Sequence, residues 1–435
     1  MIKTIKTKPP LNQFSSLIPS INRIVIGDVG SGKTIVAFIT ALSYLNGLKY
    51  GEISLLAPTE VLAYQHYIKL LELVGLQKLD WVDCVFLSGK GNYFNGQKLP
   101  PAKLKKALEK SQEKPNYKIF WVGTHALLFS ELVCPDLVMV DEQHRFGVRQ
   151  REKLTKKQLE LQPHFISFTA TPIPRTLALT VYNTLQPIFL ETLAGRNPII
   201  TTIESDDKLT TKIFEMIQKT LNKSQKIYVI CPAVEEVEDT EEKKALWSVN
   251  KITKILKAQF GETVMSVHGK IADKKDILTE FKTSADKNIL VATTVVEVGV
   301  DVGLASLVVI MNAERFGLSA LHQIRGRVGR NNFEINQCVL VTQKEFVHSR
   351  RLGYLCQYQD GFALAQKDLE LRGAGDMIGS SQSGFGDEID SIIGLNPKLY
   401  EQLSGIIDTL DLDKLDDLPR LKAYLDKEKN RVWEE

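Results

Sequence analysis

Eight residues, Gly27-Asp28-Val29-Gly30-Ser31-Gly32-Lys33-Thr34, follow the apolar run Ile24–Ile26 and lead into a helix-forming stretch, Ile35 to Leu45. A strand, a loop of G-x-x-x-x-G-K-T form and a helix make a phosphate-binding loop. Gly27, Gly30 and Gly32 let the backbone wrap a phosphate without a Cβ in the way. The loop amides, that of Ser31 included, and the helix N-terminus then direct partial positive charge at the anion. Lys33 is placed to reach the β- and γ-phosphates, and Thr34 to offer its hydroxyl to Mg²⁺. The chain is therefore expected to bind a nucleoside triphosphate.

A second group of residues suits hydrolysis. The apolar run Leu137–Val140 stops at Asp141-Glu142-Gln143-His144, which puts paired carboxylates at the C-terminal edge of a sheet, beside the phosphate loop. Asp141 is expected to hold Mg²⁺ through water, and Glu142 to polarise the attacking water. Thr169 and Thr171, in Phe168-Thr169-Ala170-Thr171-Pro172, follow another strand and can hydrogen-bond to the acidic motif and sense the phosphate state; a Thr-rich strand end is the plainer reading. Thr59, Thr124 and His125 also follow strands, and their hydroxyls and neighbouring amides suit nucleic-acid phosphates or ordinary helix capping.

The third group lies near the C-terminal end of the second half. His322-Gln323-Ile324-Arg325-Gly326-Arg327-Val328-Gly329-Arg330 carries three arginines at intervals of two and three. They cannot all be buried cheaply, which asks for an anion. A guanidinium reaching a γ-phosphate across an interface accelerates transfer by about 10³–10⁵, and Arg327 and Arg330 are expected in that role. Thr293 and Thr294 can bind a phosphate backbone, and Gly299 and Asp301 can reach toward the nucleotide. A triphosphate gripped by Lys33 from one domain and by Arg327 and Arg330 from another is the physical basis of a motor.

The elements that must position these residues are alternating strands and helices. Strand-like runs at Ile24–Ile26, Ile53–Ala57, Trp81–Leu87, Ile119–Val122, Leu137–Val140 and Phe165–Phe168 alternate with helical stretches at 33–45 and 60–74. The pattern restarts after Gly195–Pro198, with strands near 227–231, 264–267, 289–292, 307–311 and 337–342 and helices at 249–259 and 273–282. Such alternation predicts an α/β fold of two tandem parallel-sheet domains. The expected division is a short N-terminal segment 1–17, domain 1 over 18–194, domain 2 over 195–345, a helical stretch and loop over 346–390, and a helical tail over 391–435. Residues 98–114 read as a basic solvated segment, and 233–244, rich in Glu, as an exposed loop. A length of 435 residues, 43% hydrophobic and 25% charged, fits a globular chain of two or three domains. The formal charge of +3 makes any nucleic-acid track local. No apolar run approaches a membrane span. Five scattered cysteines without a C-x-x-C pair suggest reduced thiols in the cytosol, and seven histidines without an H-x-x-x-H pair give no structural zinc site.

Taken in order, GDVGSGKT, APTE, GTHAL, DEQH, TATP, ATTVVEVGVD and HQIRGRVGR resemble the motifs of superfamily 2 helicases and translocases. The longer strings Asp141–Val148 (DEQHRFGV), Thr169–Leu179 (TATPIPRTLAL), Asn312–Leu318 (NAERFGL), Asp368–Gly375 (DLELRGAG) and Gly379–Gly384 (GSSQSG) make the chain similar to the RecG-type ATP-dependent DNA helicases over roughly residues 20–390. The resemblance implies two tandem RecA-like domains with a coupling hairpin and loop over 346–390, and ATP and Mg²⁺ as cofactors, with Lys33, Thr34, Asp141 and Glu142 as the hydrolytic set and Gln323, Arg327 and Arg330 sensing the γ-phosphate. It implies coupling roles for His144, Thr169, Thr171, Arg372 and Gln382, of which an Arg and a Gln in a polar loop are otherwise ordinary solvated side chains. It implies a cytoplasmic monomer at the bacterial nucleoid, working on double-stranded and branched DNA at stalled forks and Holliday junctions in recombination and repair. About twenty residues precede the first motor strand, too few for the OB-fold wedge usual in this family; a fragment, a short form and a chain that needs a separate wedge or single-stranded-DNA-binding partner are the readings left open. An Mfd-like translocase, an RNA helicase of the same superfamily, a motor fragment needing a wedge subunit and a non-catalytic module descended from a motor are the other readings.

Overall fold

In this computed structural model the described residues are 21–143, 146, 163–170, 186–191, 197–206, 209–234, 247–268, 271, 274–293, 305–329, 333 and 335–372. They build two sheets, the first parallel except for an antiparallel edge and the second wholly parallel, both within one compact unit formed by Met1–Arg175 and Tyr182–Leu371.

The first sheet has the order β5-β4-β3-β6-β2-β7-β8-β1-β9. Its strands are β1 (Asn22–Gly27), β2 (Gly51–Leu56), β3 (Asp83–Ser88), β4 (Gly91–Phe94), β5 (Gln97–Leu99), β6 (Lys118–Gly123), β7 (Leu137–Asp141), β8 (His164–Thr169) and β9 (Gln186–Leu190). Helices α1 (Lys33–Gly47), α2 (Glu60–Leu76), α3 (Pro101–Gln112) and α4 (Ala126–Phe129) lie among them. The central strands are apolar on both faces because both are covered. Ile53, Leu55, Phe120, Val122, Leu137 and Met139 pack with Phe38 and Leu42 of α1 and Tyr67 and Leu70 of α2. Their chain neighbours Leu56, Ile119, Trp121, Val138 and Val140 point the other way, onto Leu104 and Leu108 of α3.

The second sheet has the order β10-β15-β14-β11-β13-β12 and is parallel throughout. Its strands are β10 (Ile199–Ser205), β11 (Lys226–Ile230), β12 (Val264–Val267), β13 (Ile289–Ala292), β14 (Ala305–Ile310) and β15 (Asn336–Thr342). Helices α5 (Phe214–Leu221), α6 (Val249–Phe260), α7 (Lys274–Thr283), α8 (Leu318–Arg325), α9 (Arg350–Gln357) and α10 (Gly361–Arg372) accompany them. Tyr228, Ile230, Val308 and Ile310 face one core, and Ile227, Val229, Leu307 and Val309 the other.

One expectation is corrected. The segment 98–114 is mostly exposed but is not a plain solvated stretch: it ends the hairpin β4–β5 and then forms α3, with Pro101 in the first turn and Leu104, Leu108 and Ser111 buried. The lysines of α3 line the outer face, and the three buried positions at spacings of four and three bind it to the sheet. Four strands add to those expected. β4 and β5 extend the first sheet antiparallel beyond β3, β9 runs parallel along the outer edge of β1, and β10 opens the second sheet directly after Pro198.

Candidate nucleotide site and nucleic-acid face

The order of the first sheet divides its C-terminal edge into two halves. The phosphate loop, the acidic pair and Thr169 follow β1, β7 and β8, which are neighbours; Thr59 and Thr124 follow β2 and β6, which are neighbours on the other side of β7. Chemistry placed beyond the carboxyl ends of parallel strands is the general arrangement of such sheets.

In the phosphate loop Gly30 and Gly32 have φ of 77° and 84°, a left-handed conformation that any Cβ would strain. Lys33 Nζ donates to the carbonyls of Gly27 at 2.8 Å and Asp28 at 2.7 Å. The Ser31 hydroxyl is buried without a hydrogen-bond partner. An orphaned hydroxyl in such a loop fits a phosphate oxygen as its missing partner.

Asp141 ends β7, and its Oδ2 lies 2.8 Å from Nε2 of His66 on α2. Glu142 sits at φ 51°, a left-handed conformation that turns the chain off the strand end. Its amide donates to Phe168 O at 2.8 Å. Its carboxylate accepts from the Ala170 amide on Oε1 at 2.9 Å and from the Thr169 hydroxyl on Oε2 at 3.2 Å. Among the described residues no cluster of three or more His, Cys, Asp and Glu side chains could cage a metal. A Thr34 hydroxyl and one carboxylate fit Mg²⁺, which keeps most of its waters and takes its other ligands from phosphates.

On the other half, Thr59 caps α2, accepting from the Leu62 amide at 3.3 Å. Thr124 is buried at 6% exposure, and its hydroxyl accepts from the Ala126 amide at 3.4 Å. His125 is exposed beside the ring of Phe129. Thr293 is buried directly after β13 in the second sheet. His144, Thr171, Thr294, Gly299, Asp301, Arg330 and Gln382, and the Arg372 side chain, lie outside the described residues.

The segment that begins at α8 meets the phosphate loop. A Cβ on Gly326 would stand 2.6 Å from Cγ1 of Val29, so the Gly326 backbone lies against the Val29 side chain with no room for a side chain of its own. His322 Nε2 lies 2.5 Å from Oδ1 of Asp28, and the Gly361 amide donates to Oδ2 at 2.9 Å. Gln323 is buried at 6% exposure, and Arg327 is half-buried. Arg325 corrects the expectation that all three arginines need an anion. It is 1% exposed, and its guanidinium donates to the carbonyls of Leu355, Tyr358 and Gln359 and to His322 Nδ1. Three carbonyls at the break between α9 and α10 stand in for the anion, matching a donor fork of fixed shape. Asp28, His66 and His322 escape sequence reasoning because their partners lie 294, 75 and 294 residues away.

Burial alone would raise the Asp28 carboxyl. The hydrogen bond from the His322 ring and its electrostatic pull, then the amides of Gly361 and Val29, outweigh it and hold the group below its ordinary 3.8. A carboxyl with a depressed folded pKa stabilises the fold fully above its unfolded pKa, and that contribution is lost as pH falls through the folded value. Asp28→Asn is therefore expected to cost about 1–3 kcal/mol at neutral pH, for lost charge-assisted bonds in a buried site. The difference from wild type should shrink below about pH 4. Urea midpoints of both proteins across the acid range measure it; a difference that stays constant to the lowest pH would contradict this account.

Residues 12–180 match the DEAD/DEAH box helicase family model, and residues 210–332 the helicase conserved C-terminal domain. The chain is 39% identical over 442 residues to the ATP-dependent DNA helicase RecG of Aquifex aeolicus, covering 97% of this chain and 52% of that protein. It is 39% identical over 370 residues to RecG of Bacillus subtilis, covering 84% and 51%. The chain thus spans about half the length of these curated relatives. A solved structure of RecG bound to a three-way DNA junction superposes with a TM-score of 0.64 at 30% identity, covering 82% of this chain and 45% of that one. Among the described residues no helix is long and apolar enough to cross a membrane. A phosphate loop on one sheet and an arginine segment from a second sheet set against it thus lie within the two matched helicase domains, in a chain that is similar to RecG helicases over most of its own length.

Proposed function

We propose that the chain is an ATP-driven translocase on double-stranded DNA that acts on branched DNA in recombination and repair. The observation that carries this reading is the contact of the phosphate loop with the α8 segment, Asp28 on His322 and Val29 on Gly326. A nucleotide bound there is gripped from both sheets, and its hydrolysis changes how they meet. The RecG relatives, one of them bound to a three-way junction, support DNA as the track.

Lys33 and the loop amides would hold the phosphates, Thr34 and Asp141 the Mg²⁺, and Glu142 would orient and deprotonate the attacking water. Bound Mg²⁺ supplies charge neutralisation on the phosphate oxygens. Arg327 and Arg330 would meet the γ-phosphate with Gln323, and Gly299 and Asp301 would approach the nucleotide. Thr59, Thr124, His125, Thr293 and Thr294 would follow the phosphates of DNA, and His144, Thr169, Thr171, Arg372 and Gln382 would couple the two sites. The motor works as a monomer in the cytoplasm.

Steady-state ATP turnover tests this, with Lys33→Ala as control and no nucleic acid, single-stranded DNA, linear duplex, a model fork, a four-way junction and duplex RNA as arms. Stimulation strongest with the fork and junction supports the reading. Equal stimulation by every duplex DNA restricts it to translocation, and stimulation by RNA alone overturns it. Binding that falls steeply with salt is the accompanying signature of a backbone track.

A further inference from the structure

Helix α2 starts in the nucleic-acid half of the sheet edge and runs past the nucleotide half. The Thr59 cap fixes its start, and Ala63, His66, Tyr67 and Leu70 bury its inner face. His66 is 6% exposed. Its ring stands edge-on to Phe38 of α1, with centroids 6.4 Å apart and planes at 88°. Phe38 in turn stacks edge-on to Phe120 of β6. The imidazole is thus clamped between two helices and the sheet, and its one recorded polar contact runs from Nε2 to Oδ2 of Asp141 at 2.8 Å.

An ionised carboxylate only accepts, so the ring nitrogen that faces it carries the proton. A carboxylate turns easily about its last bond, and its two oxygens are equivalent until something distinguishes them. An N–H delivered by a clamped ring distinguishes them: Oδ2 is taken, and Oδ1 is the oxygen left for a metal-bound water. Groups that hydrogen-bond to a metal's carboxylate in this way commonly change metal affinity by about 10–100-fold when removed.

We propose that His66 is a positioning residue that sets the Asp141 carboxylate in the orientation that receives Mg²⁺. This rests on the reading of Asp141 as the metal-binding carboxylate. The experiment compares wild type, His66→Phe, which keeps a ring against Phe38 but has no N–H, and His66→Gln, whose side-chain amide can replace the donor. Asp141→Ala is the reference. Binding of a fluorescent ATP analogue is titrated with MgCl₂ and repeated in EDTA, with metal-free thermal unfolding as the check on folding. Should the Phe ring not fit, His66→Leu takes its place.

The expected result is a Mg²⁺ half-point raised about tenfold or more in His66→Phe, unchanged analogue affinity in EDTA, and recovery to within about threefold in His66→Gln. A wild-type Mg²⁺ half-point in a folded His66→Phe protein overturns the proposal. So does an affinity lost equally with Mg²⁺ and EDTA, which marks a packing role alone. If Asp141→Ala titrates like wild type, the assignment of Asp141 itself fails, and the proposal fails with it.

Discussion

Glu142→Gln is expected to lower ATP turnover about 10²–10⁴-fold, the usual contribution of a positioned proton acceptor, while ATP binding stays within about threefold. The geometry separates the two effects. Glu142 accepts from the Ala170 amide and the Thr169 hydroxyl. A glutamine keeps the first bond through its carbonyl and can donate to the threonine oxygen in place of the second. The strand ends therefore stay joined, and only the capacity to take a proton from water is lost. Single-turnover hydrolysis with enzyme in excess, beside equilibrium binding of a non-hydrolysable analogue, measures both. A variant that hydrolyses within tenfold of wild type would move the base elsewhere. A variant that no longer binds the analogue would mean that the Glu142 bonds to β8 hold up the loop rather than serve the chemistry.

Arg327→Ala is the second large effect, expected to cut turnover about 10³–10⁵-fold with a much smaller change in nucleotide affinity, as for other arginine fingers. Gly326 touches Val29, so the next residue is carried to the edge of the phosphate loop. The Arg327 amide donates to Ile324 O at 3.0 Å, which ends α8 and fixes where that residue leaves the helix. Contact by Arg327 would be made in the transition state, where charge spreads over the transferring oxygens, more than in the bound ground state. Turnover and analogue affinity measured on one preparation decide it. An equal loss in both would show ground-state binding; a loss below tenfold would leave the role to other residues of the segment.

The phosphate loop, the acidic pair and the two-sheet architecture are legible because each depends on neighbours in sequence. A strand, glycines at fixed spacing and a helix lie within some twenty residues, and the strand cores are apolar on both faces. What escapes depends on distance or on weak local contrast. β9 is short, carries Pro187 and is half exposed at a sheet edge, so it lacks the apolar run that marks its neighbours. The buried positions of α3 are outnumbered by lysines, although Pro100-Pro101 is a helix-start signal and Asn95-Gly96 a hairpin signal. Arg325 looks like its neighbours Arg327 and Arg330, and only the fold shows that its acceptors are backbone carbonyls thirty and more residues on. His66 reads as one more residue of an amphipathic helix until β7 delivers Asp141 to it.

The guanidinium of Arg325 also bears on modularity. The turn between α9 and α10 has its carbonyls satisfied from α8, and the Gly361 amide at the head of α10 is satisfied by Asp28 of the phosphate loop. Neither the helical pair nor the arginine segment is complete alone: a chain ending near residue 345 would strip the Arg325 guanidinium of its three carbonyl acceptors and leave it His322 Nδ1. Recombination that exchanges motor domains at the last strand of the second sheet would therefore yield misfolded hybrids, whereas a crossover beyond α10 would keep donor and acceptors in the same inheritance.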